Sequence, residues 1–235
     1  MLYLIGLGIG DEKDITLRGL ETAKKCDCFI ENYTSKWSGD LRTLERMIGK
    51  DIISVKRADL EDNQKEFLEK CKKSNIALFV LGDPLAATTH IDLVEAAKTA
   101  KIRVEIIHNT SIFSAIGELG LQLYKYGRTA TIPFTGKLQS VKESIKNNKK
   151  SGLHTLLLLD LDVELNMFMS VKEALKLLLD AKLVTKQTKI IAGKIGAEVY
   201  YDKAAELIEK DIETPSIIVI PGKLHFREKE FLEIL

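Results

Sequence analysis

Short apolar runs alternate with amphipathic stretches along almost the whole of this 235-residue chain. The runs Leu2–Leu7, Cys26–Glu31, Ile52–Val55, Ile76–Leu81 and Val104–His108 have the length and apolarity of buried strands. Helical spacing fills the gaps, in Ile15 to Ala23 behind a candidate N-cap at Asp14, in Leu41–Ile48, Asn63–Lys73 and Ile91–Ala100, and from Ser111 to Leu121. About five strands with crossover helices in roughly 120 residues predict a parallel α/β unit. A second set follows: strands at Thr129–Ile132, Leu153–Leu161, Lys189–Ile195 and Ser216–Ile220, and a helix at Ala204–Lys210. Capping-box patterns stand at Ser140 to Glu143 and Ser170 to Glu173. The organisation expected is two α/β domains, 1–115 and 116–235, with no Pro/Gly-rich linker at the join.

Composition narrows the class. The chain is 45% apolar and 29% charged, with 35 Lys+Arg against 34 Asp+Glu. Balanced charge argues against a nucleic-acid partner. The basic stretch Lys142 to Lys150 reads as a solvated helix end. No run approaches the ~20 apolar residues of a membrane span, and no signal peptide is visible. Cys26, Cys28 and Cys71 form neither a disulfide framework nor a metal-ligand spacing, which suits reduced thiols in the cytoplasm.

The residues able to carry chemistry cluster at predicted strand ends, where open α/β sheets bind ligands. Gly82-Asp83-Pro84-Leu85-Ala86-Ala87-Thr88-Thr89-His90 follows the run Ile76–Leu81 and offers a carboxylate, free N–H groups and two hydroxyls. Gly6-Leu7-Gly8-Ile9-Gly10 ends the first strand. It is not the dinucleotide fingerprint, whose third glycine would fall at Asp11, and no Gly-Lys-Ser/Thr makes it a P-loop. A Gly-x-Ser-x-Gly nucleophile elbow is absent. Asp160 and Asp162, two apart, would face one side, where they could share a proton or metal or simply end a strand in solvent.

Six blocks, in order from position 1 to 226, resemble the diphthine synthases of the tetrapyrrole-methylase superfamily. They are Met1 to Asp11 with Asp14-Ile15-Thr16; Glu31-Asn32-Tyr33-Thr34-Ser35; Gly82 to His90; Asn109-Thr110-Ser111-Ile112; and the late pair Leu153 to Asp160 and Pro221 to Phe226. The resemblance implies an S-adenosyl-L-methionine-dependent methyltransferase of two α/β domains, with the cofactor in a cleft between them and a homodimeric assembly. Carried over position by position, it implies cofactor contacts at Ile9, Asp83, Ala86, Ser111, Ile112, Leu161, Tyr201 and His225, and no metal. Relatives often carry Leu and Val at the positions of Ile9 and Ala86, and a small residue near Tyr201.

The implied substrate is translation elongation factor 2, on a histidine bearing a 3-amino-3-carboxypropyl group. Its amino nitrogen would be methylated three times to diphthine, in diphthamide biosynthesis; eukaryotic relatives add a methyl ester. The leaving group of a sulfonium is already good, so alignment would do most of the work. An alkyl ammonium titrates near ~10, so the site must lower that value or take the proton. No general base is named by the residues. Tyr33, Phe113 and Phe134 are aromatic candidates for facing a trimethylammonium. Two other readings stay open. A uroporphyrinogen or precorrin methylase would call for a strongly basic cleft, and a non-catalytic nucleotide-binding regulator would bind the cofactor without methylating either substrate.

Overall fold

A computed structural model describes residues 1–235, which divide into two units, Met1–Phe113 and Ser114–Leu235. The first unit carries strands β1 (Leu2–Gly6), β2 (Asp27–Glu31), β3 (Ile52–Val55), β4 (Ile76–Val80) and β5 (Val104–Ile107). Between them run helices α1 (Leu17–Ala23), α2 (Leu41–Ile48), α3 (Arg57–Leu60), α4 (Gln64–Lys73) and α5 (His90–Thr99). All strand pairs are parallel, in the order β3-β2-β4-β1-β5. Helices on both faces explain why the strands read as continuous apolar runs rather than alternating ones. Along fully buried β4, Ile76, Leu78 and Val80 join one core with Phe67, Leu93 and Val94, while Ala77 and Phe79 join the other with Leu44 and Ile48.

The second unit begins within α6 (Ile112–Ala115). It contains β6 (Ala130–Ile132), α7 (Gln139–Ser151), β7 (Thr155–Leu159), the hairpin β8 (Leu161–Asp162) and β9 (Met167–Phe168), and α8 (Val171–Asp180). Then come β10 (Lys189–Gly193), β11 (Val199–Lys203), α9 (Ala204–Leu207), β12 (Ile217–Ile220) and α10 (Phe226–Leu232). Its main sheet has the order β11-β10-β12-β7-β6, antiparallel except for the β6–β7 pair. One face, with Leu157, Leu159, Ile190, Ala192 and Ile218, packs on Val141, Leu175, Leu178 and Leu207 of the helices.

Several local expectations change. Thr16, not Asp14, caps α1, its hydroxyl accepting from the Gly19 N–H. Asp14 instead accepts the Gly10 N–H and pins the glycine turn. Of the two capping boxes, Ser170–Glu173 forms and Ser140–Glu143 does not, because α7 begins two residues earlier, at Gln139 after Leu138. The helix expected from Ser111 to Leu121 is only α6 followed by 3₁₀ turns and a left-handed Gly120. Strand β11 and the hairpin β8–β9 add to the expected elements. Cys26, Cys28 and Cys71 are free and buried, and burial pushes the thiols of Cys28 and Cys71 up to about 11, which leaves them unreactive.

Candidate functional site

The carboxyl ends of three adjacent strands, β4, β1 and β5, form one edge of the first unit. The loops leaving β1 and β4 are laced by a reciprocal pair of backbone hydrogen bonds. The Gly8 N–H donates to the Gly82 carbonyl at 3.1 Å, and the Gly82 N–H to the Gly8 carbonyl at 2.9 Å. Both glycines have positive φ, +77° and +75°, which L side chains rarely adopt. At Gly6 the constraint is contact: a Cβ would lie 2.6 Å from the Gly82 carbonyl oxygen and 2.7 Å from Asn109 Cβ. The Asn109 amide completes the lacing by donating to the carbonyls of Gly6 and Asp14, both at 2.9 Å. Gly6 and Gly8 are therefore needed for the protein to pack against itself.

Asp83 is the keystone of this edge. Its Oδ1 accepts from the Leu85 N–H at 3.0 Å, and its Oδ2 from the Asn109 N–H at 3.1 Å and His108 Nδ1 at 2.8 Å. Burial alone would raise its carboxyl, but these donors and the His108 charge hold it below the usual range. Asp83 is thus an ionised clamp tying the β4 loop to the end of β5. Around it, Ile9 is an exposed apolar side chain, Ala86 and Ile112 are half-buried, and Ser111 is buried. Ala87 takes the left-handed conformation at φ +58° in the middle of the block. That conformation costs a non-glycine residue roughly 1–2 kcal/mol, and such strain collects at ligand sites. The fold brings Ile9, Asp83, Ala86, Ser111 and Ile112 to this one edge.

The second unit spreads its three candidates. Because β12 runs antiparallel to β7 with Ile220 opposite Thr155, His225 lies beyond the amino end of β7 and Leu161 beyond its carboxyl end. Tyr201 sits on edge strand β11 opposite Ile191, with the Lys189 ammonium 5.0 Å from its ring centre. Burial raises the Tyr201 phenol. Exposed His225 caps α10, its Nδ1 accepting from the Arg227 N–H at 3.4 Å. Asp160 and Asp162 shape turns: Asp160 accepts the N–H groups of Phe134 and Leu161, and Asp162 that of Leu165.

Apart from Tyr33 as an aromatic candidate, sequence reasoning assigned no role to a second constellation at the same edge of the first unit. Glu31, fully buried at the end of β2, accepts from the N–H groups of Tyr33, Thr34 and Leu81 and from the Thr34 hydroxyl. It locks the end of β2 to the end of β4. Above it, Tyr33 Oη lies 3.2 Å from Nε2 of buried His90, and Arg57 stacks on the Tyr33 ring at 5.2 Å. Burial holds the His90 imidazole below its ordinary pKa. A cavity of about 110 Å³ opens beside them, lined also by Glu61, Gln64, Thr89 and Asp92. Glu31, Tyr33 and His90 all lie in motif blocks, which was the available signal; their partnership joins residues too far apart to show a period.

Residues 1–211 match the family of tetrapyrrole (corrin/porphyrin) methylases. The diphthine synthase of Methanocaldococcus jannaschii is 40% identical over 253 residues, covering all of this chain and 98% of that protein. The chain belongs to the diphthine synthase family. It is a methyltransferase with the tetrapyrrole-methylase fold. The diphthine methyl ester synthase of Schizosaccharomyces pombe is 39% identical over 263 residues, covering 99% of this chain and 93% of that protein. A crystal structure of a diphthine synthase superposes with a TM-score of 0.92 at 32% identity, covering 99% of this chain and 94% of that one. None of the helices is long and apolar enough to cross a membrane.

Proposed function

We propose that this methyltransferase acts in diphthamide biosynthesis, transferring methyl groups from S-adenosyl-L-methionine to the amino nitrogen of the aminocarboxypropyl-modified histidine of translation elongation factor 2. The observation that carries the reading is the convergence of three separate family blocks on the β4-β1-β5 edge. That edge holds Ile9, Asp83, Ala86, Ser111 and Ile112 around loops locked by their own hydrogen bonds. These residues fit the cofactor. Ile9 and Ile112 supply apolar surface, Ser111 a hydroxyl, and Asp83 a carboxylate kept ionised and therefore suited to a cationic ligand. Leu161, Tyr201 and His225 are proposed as the second unit's contacts.

S-adenosyl-L-methionine, when bound, supplies an activated methyl on a good leaving group. The chain's part is to align that methyl with the acceptor amine, and preorganised loops are what alignment requires. Asp83 already accepts three hydrogen bonds, so we assign it to holding the loop rather than to taking a proton. Of the three aromatic candidates for the methylated product, Tyr33 is buried with its ring face stacked by Arg57. Phe113 and Phe134 are exposed, and Phe113 directly follows Ile112, so we assign the cation-facing role to Phe113.

Three transfers, giving diphthine, are proposed, on a homodimer in the cytoplasm. The test is mass spectrometry of elongation factor 2 that carries the aminocarboxypropyl-histidine and no methyls, after incubation with this protein and S-adenosyl-L-methionine. A gain of three methyl masses on that histidine peptide is expected. Four would move the product to the methyl ester, and no gain with cofactor binding verified would reject the substrate.

A further inference from the structure

The second unit contains a buried carboxylate that no step above uses. Glu228, on the first turn of α10, is 1% exposed. Its Oε1 accepts from the Gln122 N–H at 3.0 Å and from His154 Nε2 at 3.1 Å. Its Oε2 accepts from the His225 N–H at 2.7 Å and from the Lys125 ammonium. His154 is fully buried, and its Nδ1 accepts the Gly222 N–H at 2.9 Å. Nδ1 therefore bears a lone pair, which puts the proton of the neutral ring on Nε2, donated to Glu228. Glu228 thus faces four donors and no acceptor.

That arithmetic specifies a carboxylate. A glutamine would turn its NH₂ either on the Gln122 and His154 donors or on the His225 N–H and the Lys125 ammonium. Neither pair can switch to accepting, because the Gly222 N–H fixes the His154 tautomer. Gly222 is fixed in turn, since a Cβ there would overlap the Leu153 carbonyl. Three segments distant in sequence, the turn at 122–125, the start of β7 and the turn at 221–225, are tied through one side chain. What the tie leaves exposed is the His225 ring.

We infer that Glu228 is a positioning residue for cofactor binding: through the backbone of His225, with His154 and Lys125 as struts, it sets the ring that the proposed function places on S-adenosyl-L-methionine. The inference rests on that reading of His225, so the test separates the two. S-adenosylhomocysteine binding is measured by calorimetry on folded wild type, His225→Ala, Glu228→Gln and the double variant. Alone, Glu228→Gln is expected to weaken binding by about tenfold or more. In the His225→Ala background it should add less than about twofold, because the group it positions is gone. An unchanged affinity in His225→Ala would overturn the reading of His225 and this inference with it. A weakened His225→Ala beside a Glu228→Gln protein that only melts earlier would overturn the positioning role alone, as would equal losses in both backgrounds.

Should Glu228→Gln not fold, Lys125→Met serves, since Lys125 is the partly exposed strut. About threefold weaker binding is expected, again only with His225 present; unchanged binding overturns the role. In the wild-type protein, ¹⁵N spectra at pH 7 should show His154 neutral with its proton on Nε2. A proton on Nδ1 would overturn the hydrogen-bond assignment on which the inference stands.

Discussion

Each unit is organised around one buried glutamate, and the two solve the burial problem differently. Glu31 in the first unit is surrounded by neutral donors only, three backbone N–H groups and a hydroxyl. Glu228 in the second has two backbone N–H groups, an imidazole N–H and a cation. A buried carboxylate needs its lone pairs filled, and either donor set does that. The cation adds a charged partner to the second set. Burial alone would raise Glu228, but the Lys125 ammonium and the N–H donors outweigh it and hold the carboxyl down to about 2. The first node is a lock between strand ends; the second ties two turns and the start of β7, with an ammonium among its donors.

The largest expected effect removes the neutral node. Glu31→Ala strands four donors in a fully buried place and should lower stability by about 3–4 kcal/mol in denaturant unfolding. A loss under about 1 kcal/mol would mean the lock contributes little. Glu228 gives a pH test of comparable size. Its carboxyl falls from an ordinary 4.5 to about 2 in the folded state, so the folded protein binds fewer protons than the unfolded chain across that interval. The stabilisation is whole above pH 4.5 and is lost as pH falls towards 2, on the order of 3 kcal/mol. His154 works in the same direction over a higher window. Its burial holds it below the ordinary 6.5, outweighing the pull of Glu228, so its share disappears as pH falls from 6.5. Lys125→Met should flatten the part below pH 4.5; an unchanged acid limb would show that the ammonium is not what depresses Glu228.

The smallest expected effect compares two serines of identical pattern. Ser170→Ala removes a formed capping box in the second unit and should cost about 1 kcal/mol. Ser140→Ala, where the same motif makes no cap, should stay within about 0.5 kcal/mol. Equal losses would break the distinction.

The same contrast explains what could be read from the sequence. The strands of the first unit were legible because burial on both faces writes them as unbroken apolar runs, Ile76 to Val80 most clearly. The glycines and Asp83 were legible as a strand-end site, but not what they do: Gly6 and Asp83 face the protein's own Gly82 and Asn109. Strand β11 was obscured because Tyr200, Tyr201 and Asp202 are half-buried and mixed in polarity. Neither glutamate node could be read from spacing, although Glu31 and His154 lie in motif blocks. Glu31 reaches Leu81 fifty residues away and Glu228 reaches His154 across seventy-four, and hydrogen-bond partners leave no periodicity. The Asp14 and Ser140 caps were misplaced because Thr16 and Leu138 set helix starts that local motifs alone do not fix.

The central claim is that the laced edge of β4, β1 and β5 holds the methyl donor. A crystal structure of the protein with S-adenosylhomocysteine tests it most directly. The account predicts the ligand bound against Ile9, Asp83, Ala86, Ser111 and Ile112, with the Asp83 hydrogen bonds to Leu85, His108 and Asn109 intact. A ligand bound away from that edge, or the Asp83 carboxylate released from its loop to hold it, would contradict the account.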